Sequence, residues 1–256
     1  MTPAHKGGDL AELVCSNSLG ALNPDSPGGL LKSELTALGS LIMDCAHQSQ
    51  VPAGGALAVD RVRFSQLVSE RISQHPGIEL RRECWTVFPL APGIIATGPL
   101  TDAGLAATIR VRLGEEMLFF YDAASPIIDA DSIDMAKVFP GSRYGKGGDD
   151  YLNCPMTYEE YQRFYNALVE AESVVLKDFE GGTFFEHCLP VEEMARRGPK
   201  TLTYGPLKPM GLWDPRTQAR PHAVVQLRRE DVMGRLYNLV GFQTNLTWGE
   251  QRQEGS

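Results

Sequence analysis

The order of apolar patterns along the 256-residue chain predicts an α/β fold. Apolar residues recur at three- and four-residue spacing over Gly28–Gln48, which predicts an amphipathic helix opened by a Pro-Gly-Gly turn. The apolar run Ala56–Val59 predicts a short strand, and a second helical pattern follows it from Asp60, the expected cap, to a stop at His75–Gly77. A strand, a helix and further strands in this order favour a mixed or parallel sheet.

The later elements follow from the same two periodicities, with Thr157 as the expected cap of the longest later helix. In chain order they are predicted strands at Ile78–Cys84 and Ile94–Gly98, a helix at Ala103–Leu113, a strand at Met117–Tyr121, a loop-rich stretch to Asn153, a helix at Met156–Glu172, and strands at Thr201–Leu207, Ala223–Leu227 and Leu236–Phe242. The Pro/Gly-rich segment Lys208–Pro221 joins the first two of the last three strands.

The composition is that of a globular protein, with 43% hydrophobic and 22% charged residues. No apolar run approaches the roughly 20 residues of a membrane span, and the first residues lack a charged-then-apolar signal peptide. We therefore expect a cytoplasmic protein without a membrane partner.

Five cysteines lie far apart, at positions 15, 45, 84, 154 and 188. The odd count and the lack of a CxxC pair indicate neither a disulfide framework nor a zinc knuckle. Cys45 on a helical apolar stripe and Cys84 in a predicted strand are expected to be buried small hydrophobic residues. Cys154 is predicted to be structural as well.

Two cysteines have polar surroundings that suit a reactive thiol. Cys15 lies in the run Val-Cys-Ser-Asn-Ser shortly before a predicted helix, where thiolate character rises. Cys188 follows Glu186 and His187, and the neighbouring imidazole is able to accept the thiol proton. The alternatives are a buried cysteine in a turn for Cys15 and an imidazole that points away for Cys188.

The charge is unevenly distributed, although the net charge of −8 argues against nucleic acid. Residues 196–235 hold nine Lys and Arg against three acids, whereas the first 195 residues hold 14 bases against 27 acids. A basic segment on an acidic body suits contact with a phosphate backbone, and a solvated charged hairpin is the alternative. The candidate RNA contacts are Arg196, Arg197, Lys208, Arg216 and Arg220.

Several long segments resemble the folate- and FAD-dependent tRNA (uracil-5-)-methyltransferases, the TrmFO family, which is related to MnmG/GidA. The matching segments include Leu13–Leu19, Gly28–Met43, Val51–Arg61, Ala96–Leu100, Leu176–Gly198, Tyr204–Thr217 and Leu236–Gln251. The resemblance extends through nearly the whole chain.

The resemblance implies part of a Rossmann-like FAD-binding domain with an inserted α+β domain. Residues 1–98 and 236–256 would belong to the FAD-binding domain, and residues 99–235 would form the insertion. The family's first βαβ unit, with its GxGxxG turn, would lie before Met1, and the family continues past Gln251. We therefore expect a chain truncated at both ends, with weakened FAD binding.

The resemblance also implies a reaction. In such enzymes methylenetetrahydrofolate supplies the carbon, reduced FAD supplies electrons, NAD(P)H reduces the flavin, and the product is 5-methyluridine in the tRNA T loop. Cys15 and Cys188 occupy the two reactive cysteine positions: one thiolate would add to uracil C6, and the other group would remove the C5 proton. The residues expected near FAD are Ser16, Asn17, Ser18, Ala96, Thr97 and Gly98.

Two other hypotheses remain open for a chain of this kind. The first is a non-catalytic tRNA-binding remnant. The second is a fragment whose unpaired strand edges favour aggregation. The two cysteines, 173 positions apart, can share one reaction only if the fold joins them.

Overall fold

A computed structural model describes residue 5 and residues 7–89, 92–98, 101–113, 125–174 and 189–254. The strands are β1 (Ser18–Ala21), β2 (Gln50–Val51), β3 (Ala56–Val59), β4 (Ile127–Asp129), β5 (Phe139–Pro140), β6 (Tyr151–Met156), β7 (Ala223–Arg229) and β8 (Leu236–Leu239). The α-helices are α1 (Pro27–Ala37), α2 (Leu41–Gln48), α3 (Arg61–Ser73), α4 (Ala103–Leu113), α5 (Tyr158–Glu170), α6 (Val191–Arg196), α7 (Thr201–Tyr204) and α8 (Trp248–Glu254). Single 3₁₀ turns occur at Ala130–Ser132 and Arg143–Gly145.

Two antiparallel sheets organise the described chain. The first has the strand order β1-β3-β2, and the second has the order β4-β8-β7-β6-β5. All their strand pairings are antiparallel, so the predicted mixed or parallel sheet is wrong for the described strands. The mixed α/β content itself is confirmed. The strand–helix–strand order suggested parallel crossovers, but in the structure the helices lie beside short antiparallel sheets.

Each sheet has its own apolar core. The core of the first sheet joins α2, β3 and α3 through Cys45, Leu57 and Phe64, each at most 2% exposed. The larger core beside the second sheet joins α5, α6, α7 and the segment after β8. Its fully buried residues include Tyr161, Leu168, Val191, Leu202 and Leu207.

Helices with a strong capping signal form where the sequence predicts them. The Asp60 carboxylate accepts the Arg63 N–H at 3.0 Å and opens α3. Thr157 and Glu160 form a reciprocal capping box at the start of α5. These caps satisfy backbone donors that have no partner inside the helix, which fixes each starting point.

The predicted helix Gly28–Gln48 is two helices, so its prediction as one element is wrong. Gly39 takes a left-handed φ of 72° between α1 and α2, and the Ser40 hydroxyl accepts the Met43 N–H to open the second helix. The apolar spacing continues across the break, which is why periodicity alone did not reveal it.

Three predicted strands are wrong. Ile78–Cys84 and Ile94–Gly98 are irregular and largely exposed, because no neighbouring strand in the described chain pairs with either. Thr201–Leu207 forms α7 and a turn, in which Leu207 N–H donates to the Leu202 carbonyl at 2.9 Å. Met117–Tyr121 lies outside the described residues.

The cysteine predictions have mixed outcomes. Cys45 is fully buried, as predicted, whereas Cys84 is exposed, so its predicted burial is wrong. Burial raises the pKa of the Cys154 thiol on β6 to about 11, which fits the structural role predicted for it. The four described cysteines form no disulfide.

The stretch predicted as loop contains short elements that sequence periodicity missed. Strands β4 and β5 have three and two residues, and β6 begins at Tyr151. The predicted domain boundary at 235/236 falls between β7 and β8, which pair in one sheet. No helix in the described part of the chain is long and apolar enough to cross a membrane.

Candidate active site around Cys15

The Cys15 segment (residues 13–18) leads into β1 and is held first by a guanidinium group from α3. Arg61, the first residue of α3, donates from Nη1 to the carbonyl oxygens of Leu13 and Val14, at 2.8 and 3.3 Å. The same side chain forms an ion pair with Glu230, just after β7. The backbone before Cys15 is therefore tied to both sheets.

Asn17 forms the second attachment and is fully buried. Its Nδ2 donates to the carbonyl oxygens of Val59 and Arg229, at 3.0 and 2.9 Å. Its Oδ1 accepts from Arg228 Nε at 2.8 Å, and Arg228 Nη2 donates to Ser16 Oγ at 2.7 Å. One amide and one guanidinium thus lock the segment between β3 and β7.

The charges in this cluster are buried together. Burial lowers the pKa of Arg228, while Tyr151 and Glu230 oppose that change. Burial raises the pKa of Glu230 and outweighs the opposing effect of the Arg61 ion pair. The guanidinium groups of Arg61 and Arg228 thus lie near the Glu230 carboxylate in a poorly solvated environment. The desolvation cost of these charges is offset only where their hydrogen bonds and ion pair are well formed, which favours one position of the Cys15 segment.

Gln243 joins Cys15 to the start of α6. Its side-chain Nε2 donates to Cys15 Sγ at 3.8 Å, and the thiol is partly buried. Its backbone carbonyl accepts the N–H of Val191, the first residue of α6, at 2.8 Å. The next residues add a second tie, because the buried Glu192 carboxylate accepts from Thr244 Oγ1 and the Asn245 N–H, at 2.9 and 2.8 Å.

Cys188 lies outside the described residues, but the chain resumes close to it. Leu189 and Pro190 are buried, and Val191 is bonded to Gln243. The first described residues after Cys188 are therefore attached to the residue that contacts Cys15.

Comparison with known proteins identifies the family. Residues 1–254 match the family described as Glucose inhibited division protein A. The chain belongs to this family.

Similar members of the family are methylenetetrahydrofolate–tRNA-(uracil-5-)-methyltransferases TrmFO. The protein of Synechococcus sp. (strain JA-3-3Ab) is 60% identical over 254 residues, which are 98% of this chain and 56% of that protein. The Aquifex aeolicus protein is 56% identical over 99% of this chain and 57% of its own length. The Bacillus licheniformis protein is 55% identical over 98% and 58%. The chain thus spans somewhat more than half the length of the curated relatives it matches.

The donor set beside Cys15 fits an FAD group, the cofactor expected for a family member of this kind, only in part. Ser16 Oγ accepts from Arg228 and Ser18 N–H, and Ser18 Oγ accepts from Gly20 N–H at 3.2 Å. Neither hydroxyl donates to another described residue, so both O–H groups remain able to bind an acceptor such as a phosphate, ribose or carbonyl oxygen. The Asn17 side chain, by contrast, uses both ends of its amide within the protein.

The second predicted flavin segment lies in exposed, irregular chain. Thr97 Oγ1 lies 2.6 Å from Thr101 Oγ1, and the Gly98 carbonyl accepts from that same threonine at 2.7 Å. Ala96 is exposed. These hydrogen bonds do not join residues 96–98 to the Cys15 segment, so only the first predicted flavin segment is part of the cluster, and the role of both segments stays a prediction.

The predicted RNA contacts differ in their exposure and in whether they already form an ion pair within the protein. Arg216 is held by the buried Asp214, with Nη2 to Oδ2 at 2.8 Å, and Arg196 pairs with Glu193 at the end of α6. Lys208 is half-buried. Arg197 and Arg220 are exposed and take part in none of the ion pairs between described residues.

Sequence patterns missed the residues that hold the cluster together. In the sequence, Arg61 follows a predicted helix cap and ends a matching segment, Arg228 is one of nine bases, and Gln243 lies in a matching segment. None of the three was predicted to have a role in the site. The predicted strand Ala223–Leu227 ends one residue before Arg228, so no local pattern indicated that this arginine is buried.

Two open grooves in the described chain lie away from this cluster. A groove of about 430 Å³ between α1 and α2 is lined by residues that include Leu22, Lys32, Met43 and His47. A second groove involves Phe88 and Ile109. Neither includes a residue of the Cys15 segment, so neither is assigned to the chemistry.

Proposed function

We propose that this chain forms part of a flavin- and folate-dependent enzyme that methylates C5 of a uridine in the T loop of tRNA. The observation that carries the proposal is the Gln243 link, which attaches the Cys15 thiol to the segment that follows Cys188. A reaction on uracil C5 needs two groups on one base. The link supports a fold in which residues 173 positions apart act on the same substrate.

The chemistry assigned to the chain belongs to the two cysteines. One thiolate adds to uracil C6, which turns C5 into a nucleophile that attacks the methylene carbon of methylenetetrahydrofolate. One carbon–nitrogen bond of the donor breaks in this attack, and the other breaks when the carbon is reduced to methyl, so that both nitrogens leave with the folate. The other thiolate removes the C5 proton after that unit is attached, and expulsion of the first thiolate restores the C5–C6 double bond.

The cofactor contacts are proposed for the serine hydroxyls beside Cys15. FAD, when bound, supplies the electrons that reduce the transferred carbon to methyl, with NAD(P)H as their source. Ser16 and Ser18 would donate to its oxygen atoms, while Asn17 keeps the backbone between them in place. Residues 96–98, with Gly98 at a φ of 70°, are proposed to complete the contact.

The domain division and the RNA surface are part of the same proposal. Residues 1–98 and 236–256 are assigned to the flavin-binding part and residues 99–235 to the insertion that covers the substrate. Arg196, Arg197, Lys208, Arg216 and Arg220 are proposed to contact tRNA phosphates, with Arg197 and Arg220 the most available.

The first experiment is an absorption spectrum of the purified chain followed by an FAD titration. We expect the bound-flavin spectrum to approach one FAD per chain as FAD is added, at the weakened affinity that the sequence predicts. Methylation of a tRNA transcript is then assayed with methylenetetrahydrofolate and NAD(P)H. Cys15→Ala and Cys188→Ala should each abolish the product, whereas Cys84→Ala, at an exposed cysteine, should leave it unchanged.

Two results would overturn the proposal. Folded, soluble protein that takes up no flavin excludes the enzyme for this chain, and salt-dependent tRNA binding by that protein would indicate a non-catalytic RNA-binding role. Full methylation by either cysteine variant would remove that cysteine from the chemistry.

A further inference from the structure

We propose that Gln243 is a positioning residue that holds the Cys15 thiol in its reactive orientation beside the start of α6. This inference rests on the proposed function, since it concerns the same pair of cysteines. It adds a residue whose own side chain performs no step but sets where one of the thiols lies.

The backbone of Gln243 is fixed on both sides. Phe242 before it is 6% exposed in the larger core, and Thr244 after it is bonded to the buried Glu192. The Gln243 carbonyl is itself occupied by Val191 N–H. Packing at Phe242, a backbone hydrogen bond at Gln243 and a side-chain hydrogen bond at Thr244 thus fix three successive residues, and the Gln243 side chain extends from them toward the sulfur of Cys15.

The contact has a chemical polarity as well as a geometry. An amide N–H pointed at sulfur stabilises the thiolate more than the thiol, because hydrogen bonds to charged groups are stronger. The thiolate is the nucleophilic form of cysteine. An amide does not titrate in the ordinary pH range, so this donor stays in place whichever form the thiol takes.

Two substitutions separate this polarity from packing. Gln243→Glu keeps the size and shape but replaces the donor by a carboxylate, which repels a thiolate. Gln243→Met keeps the length and removes the donor without adding charge. Gln251→Glu is the matched control: Gln251 also uses its Nε2, on the Leu246 carbonyl at 2.7 Å, but has no bond to Cys15.

The measurement is the rate at which iodoacetamide alkylates Cys15 at pH 8, followed by mass spectrometry of the peptide. Exposed Cys84 in the same molecule serves as the internal reference. We expect Gln243→Glu to lower the alkylation rate of Cys15, relative to that of Cys84, by about tenfold or more, and Gln243→Met to lower it by about threefold. Gln251→Glu should leave the ratio at the wild-type value. Equal melting temperatures confirm that each variant is folded.

The outcomes separate this inference from the proposed function. An unchanged Cys15/Cys84 ratio in Gln243→Glu overturns the inference, and so does an equal slowing in the Glu and Met variants, which would mean that only packing matters. Neither result depends on flavin or tRNA. If the wild type methylates tRNA, Gln243→Met should lower kcat with little change in the KM for tRNA, whereas a lost RNA contact would raise KM.

Discussion

Buried polar side chains with a complete set of partners determine how the segments around Cys15 meet. Asn17 is 0% exposed and Glu192 is 1% exposed, and each binds groups far away in the sequence. Such residues are stabilising only when every polar atom is satisfied, because an unpaired buried group costs the full desolvation energy. The family resemblance implies that Asn17 is one of six residues near FAD. In the structure its side-chain amide hydrogen-bonds to Val59, Arg229 and Arg228 and so connects the two sheets.

Glu192 provides a test at the level of a single residue. Glu192→Ala removes the acceptor for Thr244 Oγ1 and the Asn245 N–H, and we expect a loss of about 3 kcal/mol in the free energy of unfolding. Glu193→Ala, at the adjacent residue whose partner is Arg196 at the surface, should change stability by less than about 0.5 kcal/mol. Urea unfolding followed by circular dichroism measures both. Equal losses in the two variants would contradict the anchoring role.

At the level of elements, β7 shows how one strand divides a basic segment into two kinds of residue. Arg228 is 5% exposed and faces the Cys15 segment, whereas the neighbouring Arg229 is partly exposed and offers only its backbone carbonyl to Asn17. Successive residues of a strand point to opposite faces, so two adjacent arginines meet different surroundings. Counting charges along the sequence treats them alike.

This division predicts different effects for two matched substitutions. Arg228→Met leaves the buried Asn17 Oδ1 without its donor and removes the bond to Ser16 Oγ, whereas Glu230 keeps its ion pair with Arg61. We therefore expect a loss of about 3 kcal/mol in the free energy of unfolding. Arg229→Met keeps the carbonyl that Asn17 uses and should cost less than about 1 kcal/mol. Chemical denaturation gives the energies, and hydrogen exchange at residues 16–18 reports whether the segment is released. An unchanged exchange rate in Arg228→Met would contradict the role of Arg228 in holding residues 16–18.

The elements that the sequence predicted well share a strong local signal. Helices α3 and α5 have side-chain caps and a one-sided apolar stripe, and β3 is a continuous apolar run. Ile78–Cys84 also alternates, but weakly, and it stays irregular because the described chain offers it no pairing partner. Strand formation depends on a neighbour, which local periodicity does not contain.

At the scale of the whole molecule, the basic segment lies on an acidic protein, and folding removes part of it from the surface. Arg228 becomes buried and Arg216 is engaged by Asp214. The pKa of Asp214 is lowered, chiefly by the hydrogen bond from Arg216, so this pair persists at neutral pH. The positive charge available to a polyanion is therefore concentrated on residues such as Arg197 and Arg220.

Salt dependence tests this surface. The proposed tRNA contact predicts that log K falls linearly with log[salt], and each lost phosphate contact reduces the slope by roughly 0.7 to 0.9. Arg197→Ala combined with Arg220→Ala should therefore reduce the slope by about 1.5. Arg81→Ala, which removes an exposed base paired with Glu79, should leave the slope unchanged. Filter binding of a tRNA transcript at salt concentrations from about 50 to about 300 mM measures this slope. An equal change for Arg81→Ala would indicate general electrostatics without a defined surface.

The family resemblance, the capped helices, the apolar run of β3 and the polar surroundings of Cys15 can all be predicted from the amino-acid sequence. These follow from neighbours in the chain, through periodicity, capping and matched motifs. The tertiary structure decided that the sheets are antiparallel, that Asn17 and Arg228 face each other across more than 200 residues, and that Gln243 joins Cys15 to α6. Those contacts depend on the pairing of distant strands and on the desolvation of the charges between them, and no local pattern in the chain encodes either.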